Sequence, residues 1–218
     1  GYETAVKNKS PLNYLQWIAH HLGITAPPKR PKILCDPMNR ELGKKASGDV
    51  LIFPHGVWEP RVWPNNYFVE LASLLINEGY KVRIVMKERD YAFFMPFHCI
   101  VSKPWAFIAA AIQSSKLVIG NDSGPAHMSG TLRTKTIAIH GPTQGKRIFG
   151  HLQKEVVSVE KKSIGCGGCH CLSEKEGGAW RASCEIGCHE LYRTFPEEVF
   201  EKAVSILGRK RGPLLPMG

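Results

Sequence analysis

No run in this 218-residue chain approaches the ~18 consecutive apolar residues of a membrane-spanning helix. No segment combines a basic start, a short apolar centre and a small-residue cleavage site, so no secretory signal peptide is expected in it. Internal repeats and low-complexity tracts are also missing, which sets aside solenoids and linker-like chains. Acidic residues are few, 19 Asp+Glu against 29 Lys+Arg, and the formal net charge is +10. Such a balance favours anionic partners: nucleotide phosphates, nucleic acid or an acidic membrane surface. The charge is diffuse apart from short runs such as Arg209 to Arg211, so it names no ligand by itself. An even, dispersed set of cysteines is absent too. Seven are present, and five of them fall between Cys166 and Cys188. An odd, clustered set argues against a secreted disulfide framework and for a metal site in a reducing compartment. What the chain does have is apolar content, 43% of its residues, enough for a full core and against wholesale disorder. It opens on Gly1 and not Met, and is read as a piece of something longer.

Ser10 and Pro11 suit an N-cap and first helical residue, with Leu12, Leu15, Ile18 and Leu22 at helical spacing and Gly23 as the stop. Pro27, Pro28 and Pro31 follow as a stiff connection, so residues 1–31 form a linker helix and Pro-rich lead-in. Residues 32–160 then alternate between two periods. Strands are predicted at Val50–Phe53, Lys81–Met86, Cys99–Val101, Leu117–Ile119, Thr134–Ile139 and Val156–Val159. Helices are predicted from Pro64 to Gly79, over Pro104–Gln113 and over Pro125–Leu132. A cysteine-rich segment, 161–192, leads into a C-terminal helix at 193–208 with Thr194 and Glu197 as a capping box, and a loose tail at 209–218. Strand–helix alternation at this interval indicates an α/β, Rossmann-like doubly wound parallel sheet, here with a cysteine-rich metal-binding insertion.

In such sheets ligands sit beyond the carboxyl ends of the strands. Three polar turns follow strands in this chain, at His55–Arg61, Asn121–Ser123 and Gly141–Thr143, and so line one crevice. The middle one, in the stretch Lys116–His127, carries the strongest signal. Asp122 and Ser123 are good cap residues, Gly124 permits close backbone approach, and Pro125 suits a first helical turn. That layout aims N–H groups and the helix dipole at an anion. Asp122 is expected to cap the helix and order the turn.

Together these residues carry a resemblance. Phe53–Gly56 with Arg61–Pro64 resembles the "hPG…K-R-W-P" element of glycosyltransferase family 9, the heptosyltransferases. Asn121–His127 resembles that family's D-[ST]-G-x-x-H turn, and Ile139–Thr143 its "F-G-P-T" element. The match spans roughly residues 50–207 and implies the C-terminal, nucleotide-sugar-binding half of a GT-B fold. By that resemblance the donor site comprises Arg61, Glu88, Asp122, Ser123, Gly124, His127 and Thr143, with Lys146 a further pocket candidate. Arg61 would pair with the diphosphate, its competing reading being an exposed loop arginine. His127 competes with a packing histidine, and Glu88, implied for the ribose hydroxyls, with a solvated charge run. The general base expected in the family belongs to a preceding domain, and no segment here matches it.

Cys166, Cys169, Cys184 and Cys188 form two close pairs, and four thiolates suit a tetrahedral metal site. Cys171, His170 and His189 are spare ligands. Free cysteines and a redox Cys-x-x-C are the competing readings. The segment resembles the iron-binding cysteine finger of family members that act on autotransporter proteins, and zinc or iron in a structural, closed site is expected.

The expected function is donor binding, with ADP-heptose as nucleotide-sugar, in a glycosyltransferase acting on a lipopolysaccharide or protein acceptor. Its partners would be that donor, an acceptor glycan or protein, and an N-terminal GT-B domain, with no nucleic acid and no transmembrane segment. The implied place is the cytoplasm, with the inner face of an acidic membrane compatible with the charge. Two other classes compete: a zinc-binding nucleic-acid protein, which would leave the three turns unexplained, and a non-catalytic nucleotide-sugar-binding module.

Overall fold

The computed structural model describes residues 36–56, 61–141, 143–161 and 189–210. The helix expected after Ser10, the cysteines of the finger and residues 211–218 lie outside the described residues. The first element is α1 (Pro37–Ala46), begun by an Asp36 carboxylate that accepts the Asn39 amide at 2.9 Å. It was not foreseen, because its apolar residues, Met38, Leu42 and Ala46, are few, and the first two stay exposed. Close approach holds it instead. A Cβ on Gly43 would stand 2.6 Å from the Ala110 side chain and 2.7 Å from the Phe107 carbonyl, so only glycine lets α1 lie against that segment.

Alternation follows as expected. In order come β1 (Val50–Phe53), α2 (Asn65–Asn77), β2 (Val82–Met86), a 3₁₀ turn (Glu88–Asp90) running into α3 (Tyr91–Phe94), and β3 (Cys99–Val101). Next are α4 (Trp105–Gln113), β4 (Leu117–Asn121), α5 (Gly124–Thr131), β5 (Lys135–Ile139), α6 (Gly145–Phe149) and β6 (Val156–Val159). The last two helices are α7 (His189–Tyr192) and α8 (Pro196–Leu207). No helix among the described residues is long and apolar enough to cross a membrane.

The six strands form one sheet in the order β3-β2-β1-β4-β5-β6, every neighbouring pair parallel. Strand order reverses between β1 and β4. The crossovers diverge there and leave a crevice at the carboxyl ends, flanked by the turns after those two strands. Both faces are covered. Val50 and Ile52 share a core with Phe68, Leu71 and Leu75 of α2 and Val199 and Ala203 of α8, while Leu51 and Phe53 share another with Phe107, Ile108 and Ile112 of α4. Two-sided burial is why β1 reads as an unbroken apolar run. Each such side chain contributes about 1.5–3 kcal/mol.

Helix α2 stops at the glycine that the sequence marked. Gly79 takes φ +97°, its N–H bonds the Ile76 carbonyl at 2.8 Å, and Tyr80 N–H bonds the Leu75 carbonyl at 3.0 Å. At the other end of the chain two expectations fail. The N-cap of α8 is Phe195 with no side-chain cap bond, so Thr194 and Glu197 make no capping box. Thr194 is wholly buried, and its carbonyl accepts the Trp63 indole N–H at 2.9 Å. Nor is the tail loose at its start: Lys210 Nζ reaches Asp49 at 2.7 Å and the Gly79 carbonyl at 3.1 Å, and its amide bonds Glu78.

Asn121 closes β4 and ties the turn after β1 to it. Its side chain is fully buried; Oδ1 accepts the Trp63 amide at 2.9 Å and Nδ2 donates to the Pro54 carbonyl at 3.0 Å. Asn121→Ala orphans both backbone groups, and urea unfolding is expected to show a loss of about 2–4 kcal/mol. At the opposite edge, burial would raise the Asp49 carboxyl, but hydrogen bonds from Lys210, the Lys81 amide and Lys116 outweigh it and hold it far below the usual carboxylate range. A depressed folded-state pKa stabilises above the unfolded value near ~4 and is lost as pH falls below it. The stability advantage of wild type over Asp49→Asn is therefore expected to be full at pH 6 and to shrink steadily through more acid urea titrations.

Candidate active site

The turn after β4 and the turn after β5 meet through three polar side chains. Asp122 is almost fully buried, and its Oδ2 accepts the Thr143 hydroxyl at 2.7 Å. The Arg61 guanidinium stands 3.6 Å from the same oxygen, on the residue that opens the last stretch before Trp63. His140, the first residue after β5, has no exposed surface, and its Nδ1 lies 3.0 Å from Thr143 Oγ1. A hydroxyl has one proton, and that of Thr143 goes to the carboxylate, so the hydroxyl oxygen must accept from His140 Nδ1–H. Burial holds the His140 imidazole below its ordinary pKa against the opposing pull of Asp122 and Glu160, and keeps it neutral. Asp122 Oδ1 and His140 Nε2 are buried with no hydrogen-bond partner among the described residues.

The role expected for Asp122 is corrected here. The N-cap of α5 is Ser123, in extended conformation and without a side-chain cap bond, while the carboxylate of Asp122 is engaged by Thr143 and Arg61. Ser123 instead donates its hydroxyl to the Asn121 carbonyl at 3.2 Å. The helix start therefore keeps its donors: among the described residues no acceptor is bonded to the N–H of Ser123 or Gly124. Gly124 is exposed, and a Cβ built on it meets nothing within 4 Å, so the backbone there is open to an incoming group. An anion beside the first turn is favoured by about 0.3–1 kcal/mol from the helix dipole alone.

His127 lies on α5 with its ring centroid 4.4 Å from that of Phe149 and stacked at 6.4 Å on His151. Burial lowers its pKa, partly opposed by Asp122. Its recorded contacts are those of a packing histidine bordering the site. Lys146 is exposed on α6. Across the switch point, Glu88 is exposed on the turn after β2 and makes no side-chain hydrogen bond or ion pair among the described residues. Asp90, two residues on, is held instead: His55 Nδ1 lies 3.5 Å from it, and His55 Nε2 accepts the Lys87 amide at 3.1 Å. His55 belongs to a turn the sequence marked, yet was not among the chosen site residues. His140 was also passed over, although it stands inside the quoted Ile139–Thr143 element and first past a strand, where side chains reach the carboxyl edge.

Among the described residues no group of three or more His, Cys, Asp or Glu side chains is placed to hold a metal ion. Cys166, Cys169, Cys184 and Cys188 lie outside the described residues. Cys99 is half-buried and gives its thiol to the Phe94 and Phe97 carbonyls, each at 3.3 Å.

Residues 106–176 match the profile of glycosyltransferase family 9 (heptosyltransferase). A lipopolysaccharide heptosyltransferase 2 of Salmonella typhimurium is 28% identical over 94 residues, 37% of this chain and 27% of that protein. The solved ADP-heptose lipopolysaccharide heptosyltransferase II of E. coli shares the fold at TM-score 0.61 and 18% identity, covering 83% of this chain and 54% of its own. An iron-containing dodecameric glycosyltransferase from enterotoxigenic E. coli does so at TM-score 0.53 and 14% identity, covering 82% of this chain and 46% of its own. The chain thus spans about half the length of these solved chains and less of the curated relative. The three quoted elements fall at the carboxyl edge of one parallel sheet, and two of them lie inside the matched span. Motifs, matched span and fold agree in a likeness to glycosyltransferase family 9 (heptosyltransferase).

Proposed function

We propose that this domain binds the nucleotide-sugar donor of a glycosyltransferase, with ADP-heptose as the donor and a lipopolysaccharide or protein as acceptor. One observation carries the reading: Arg61 beside the buried Asp122, next to a helix start whose Ser123 and Gly124 amides remain open, at the point where strand order reverses. Two open N–H groups and a guanidinium suit the charge that a nucleotide diphosphate carries and that grows as it leaves. Asp122 Oδ1, buried and without a partner among the described residues, is an acceptor that a donor hydroxyl would satisfy on entering. His55 and Asp90, after β1 and β2, would flank the ribose end, with Glu88 free to reach in. The names of the heptosyltransferase relatives support heptose over other sugars.

Proton removal from the acceptor is assigned to a residue outside this domain. Asp122 is already engaged by the Thr143 hydroxyl and the Arg61 guanidinium, and its part is to order the turn. Cys166, Cys169, Cys184 and Cys188 would hold one structural zinc or iron, since a thiolate set suits either metal. The iron content of a neighbour in fold supports iron as the first to look for.

Calorimetry of residues 1–218 is expected to show ADP-heptose binding ahead of UDP- and GDP-sugars, with Arg61→Met weakening it about tenfold, the equivalent of roughly 1.4 kcal/mol. The same protein is expected to transfer sugar far more slowly than a full-length relative. A flat response to every nucleotide, together with a salt-sensitive shift of DNA or RNA, would replace this reading with the nucleic-acid one. Metal analysis is expected to find about one zinc or iron per chain, lost when Cys166 and Cys184 are changed to Ser.

A further inference from the structure

The polar chain in the site ends at a group that no part of the donor reading uses. His140 is fully buried, 3.0 Å from Thr143, which is 2.7 Å from Asp122. A buried histidine is commonly just a satisfied core residue, and that alternative needs both ring nitrogens satisfied. Here they are not: Nε2 is buried without a partner among the described residues, 3.2 Å from where a Cβ on Gly145 would stand. Leaving a buried acceptor unmade carries a desolvation cost, so the ring is retained for what Nδ1 does.

We propose that His140 is a positioning residue of the donor site, acting through Thr143 on Asp122. Free to rotate, the Thr143 hydroxyl has two neighbours to choose between, the imidazole and the carboxylate. An Nδ1–H donor fills its lone pair and sends its only proton to Asp122 Oδ2. With Oδ2 so engaged and Arg61 alongside, the carboxylate is fixed and its unpartnered Oδ1 is left as the acceptor. The opposite tautomer would present a bare Nδ1 to the hydroxyl, draw the proton away, and leave Asp122 Oδ2 with the arginine alone.

The surroundings enforce the tautomer and the neutral ring. Facing His140 are Asp122 and Thr143 from the adjoining turns, Arg61 from the loop before α2, His127 on α5 and Glu160 beyond β6. Phe149 packs edge-on to it with centroids 5.5 Å apart. Glu160 also acts on the ring by its charge, and its Oε2 accepts the Gly145 amide at 2.6 Å. On these contacts Nε2 is the nitrogen without a partner among the described residues, and the proton belongs on Nδ1.

This inference rests on the donor reading for its consequence but not for its geometry, and the experiment separates the two. Nitrogen-15 NMR of the ligand-free chain reads the tautomer: an Nδ1–H ring at neutral pH, shifting toward a mixture in Thr143→Val, is expected. An Nε2–H ring in the wild type would overturn the inference whatever the ligand. ADP-heptose titrations then compare His140→Phe, which keeps the ring volume and removes the donor, with His140→Asn, which restores an N–H. Phe is expected to weaken binding about tenfold, Asn to recover most of it, and Phe to add nothing in a Thr143→Val background. Wild-type affinity in the Phe variant, no rescue by Asn, or an undiminished loss in the Val background would each overturn it. Thermal unfolding of each variant guards against misfolding as the cause. If the wild type binds no nucleotide but the tautomer is as stated and lost with Thr143, the donor reading has failed and the proton-ordering role stands on its own.

Discussion

A carboxylate buried at the edge of a sheet must be compensated, and the site is arranged around that requirement. Asp122 has almost no contact with solvent, and burying it unpaired would cost several kcal/mol. The compensation comes from separate pieces of chain: a guanidinium from the loop before α2 and a hydroxyl from the turn after β5, itself held by the ring that starts that turn. Removing any one disturbs the others. It follows that the turns after β1, β4 and β5 have to be built together, and Asn121 supplies the join for the first two.

The two edges of the sheet are handled differently. At the amino ends Asp49 gathers Lys116, Lys210 and the Lys81 amide, so charge is spent on holding the end of the chain in place. At the carboxyl ends, amides and a carboxylate oxygen have no partner among the described residues. Such asymmetry is what separates a structural ion cluster from a place built to meet a ligand.

Much of this was legible in the sequence for stated reasons. Buried parallel strands announce themselves as short apolar runs, and glycine at the end of α2 marks its stop because φ +97° is reached cheaply by little else. Helix α1 was illegible, since close backbone contact through Gly43 replaces the apolar stripe that periodicity detects. The capping box failed because the N-cap of α8 is Phe195, and the Thr194 carbonyl before it is bound to Trp63, 131 residues away in sequence, where local pattern cannot register it. In the site the residue types were readable but their partners were not. Asp122 looked like a helix cap, and only the return of β5 beside β4 shows its carboxylate engaged with Thr143.

The join between Lys161 and Glu198, at 2.5 Å, has a consequence for the segment carrying the clustered cysteines. The residues on either side of it are tied to the same body: Val159 to the His140 amide, Leu191 and Thr194 to the core around Trp63. Two stretches distant in sequence and clamped together in this way have met their loop-closure cost once the sheet has folded.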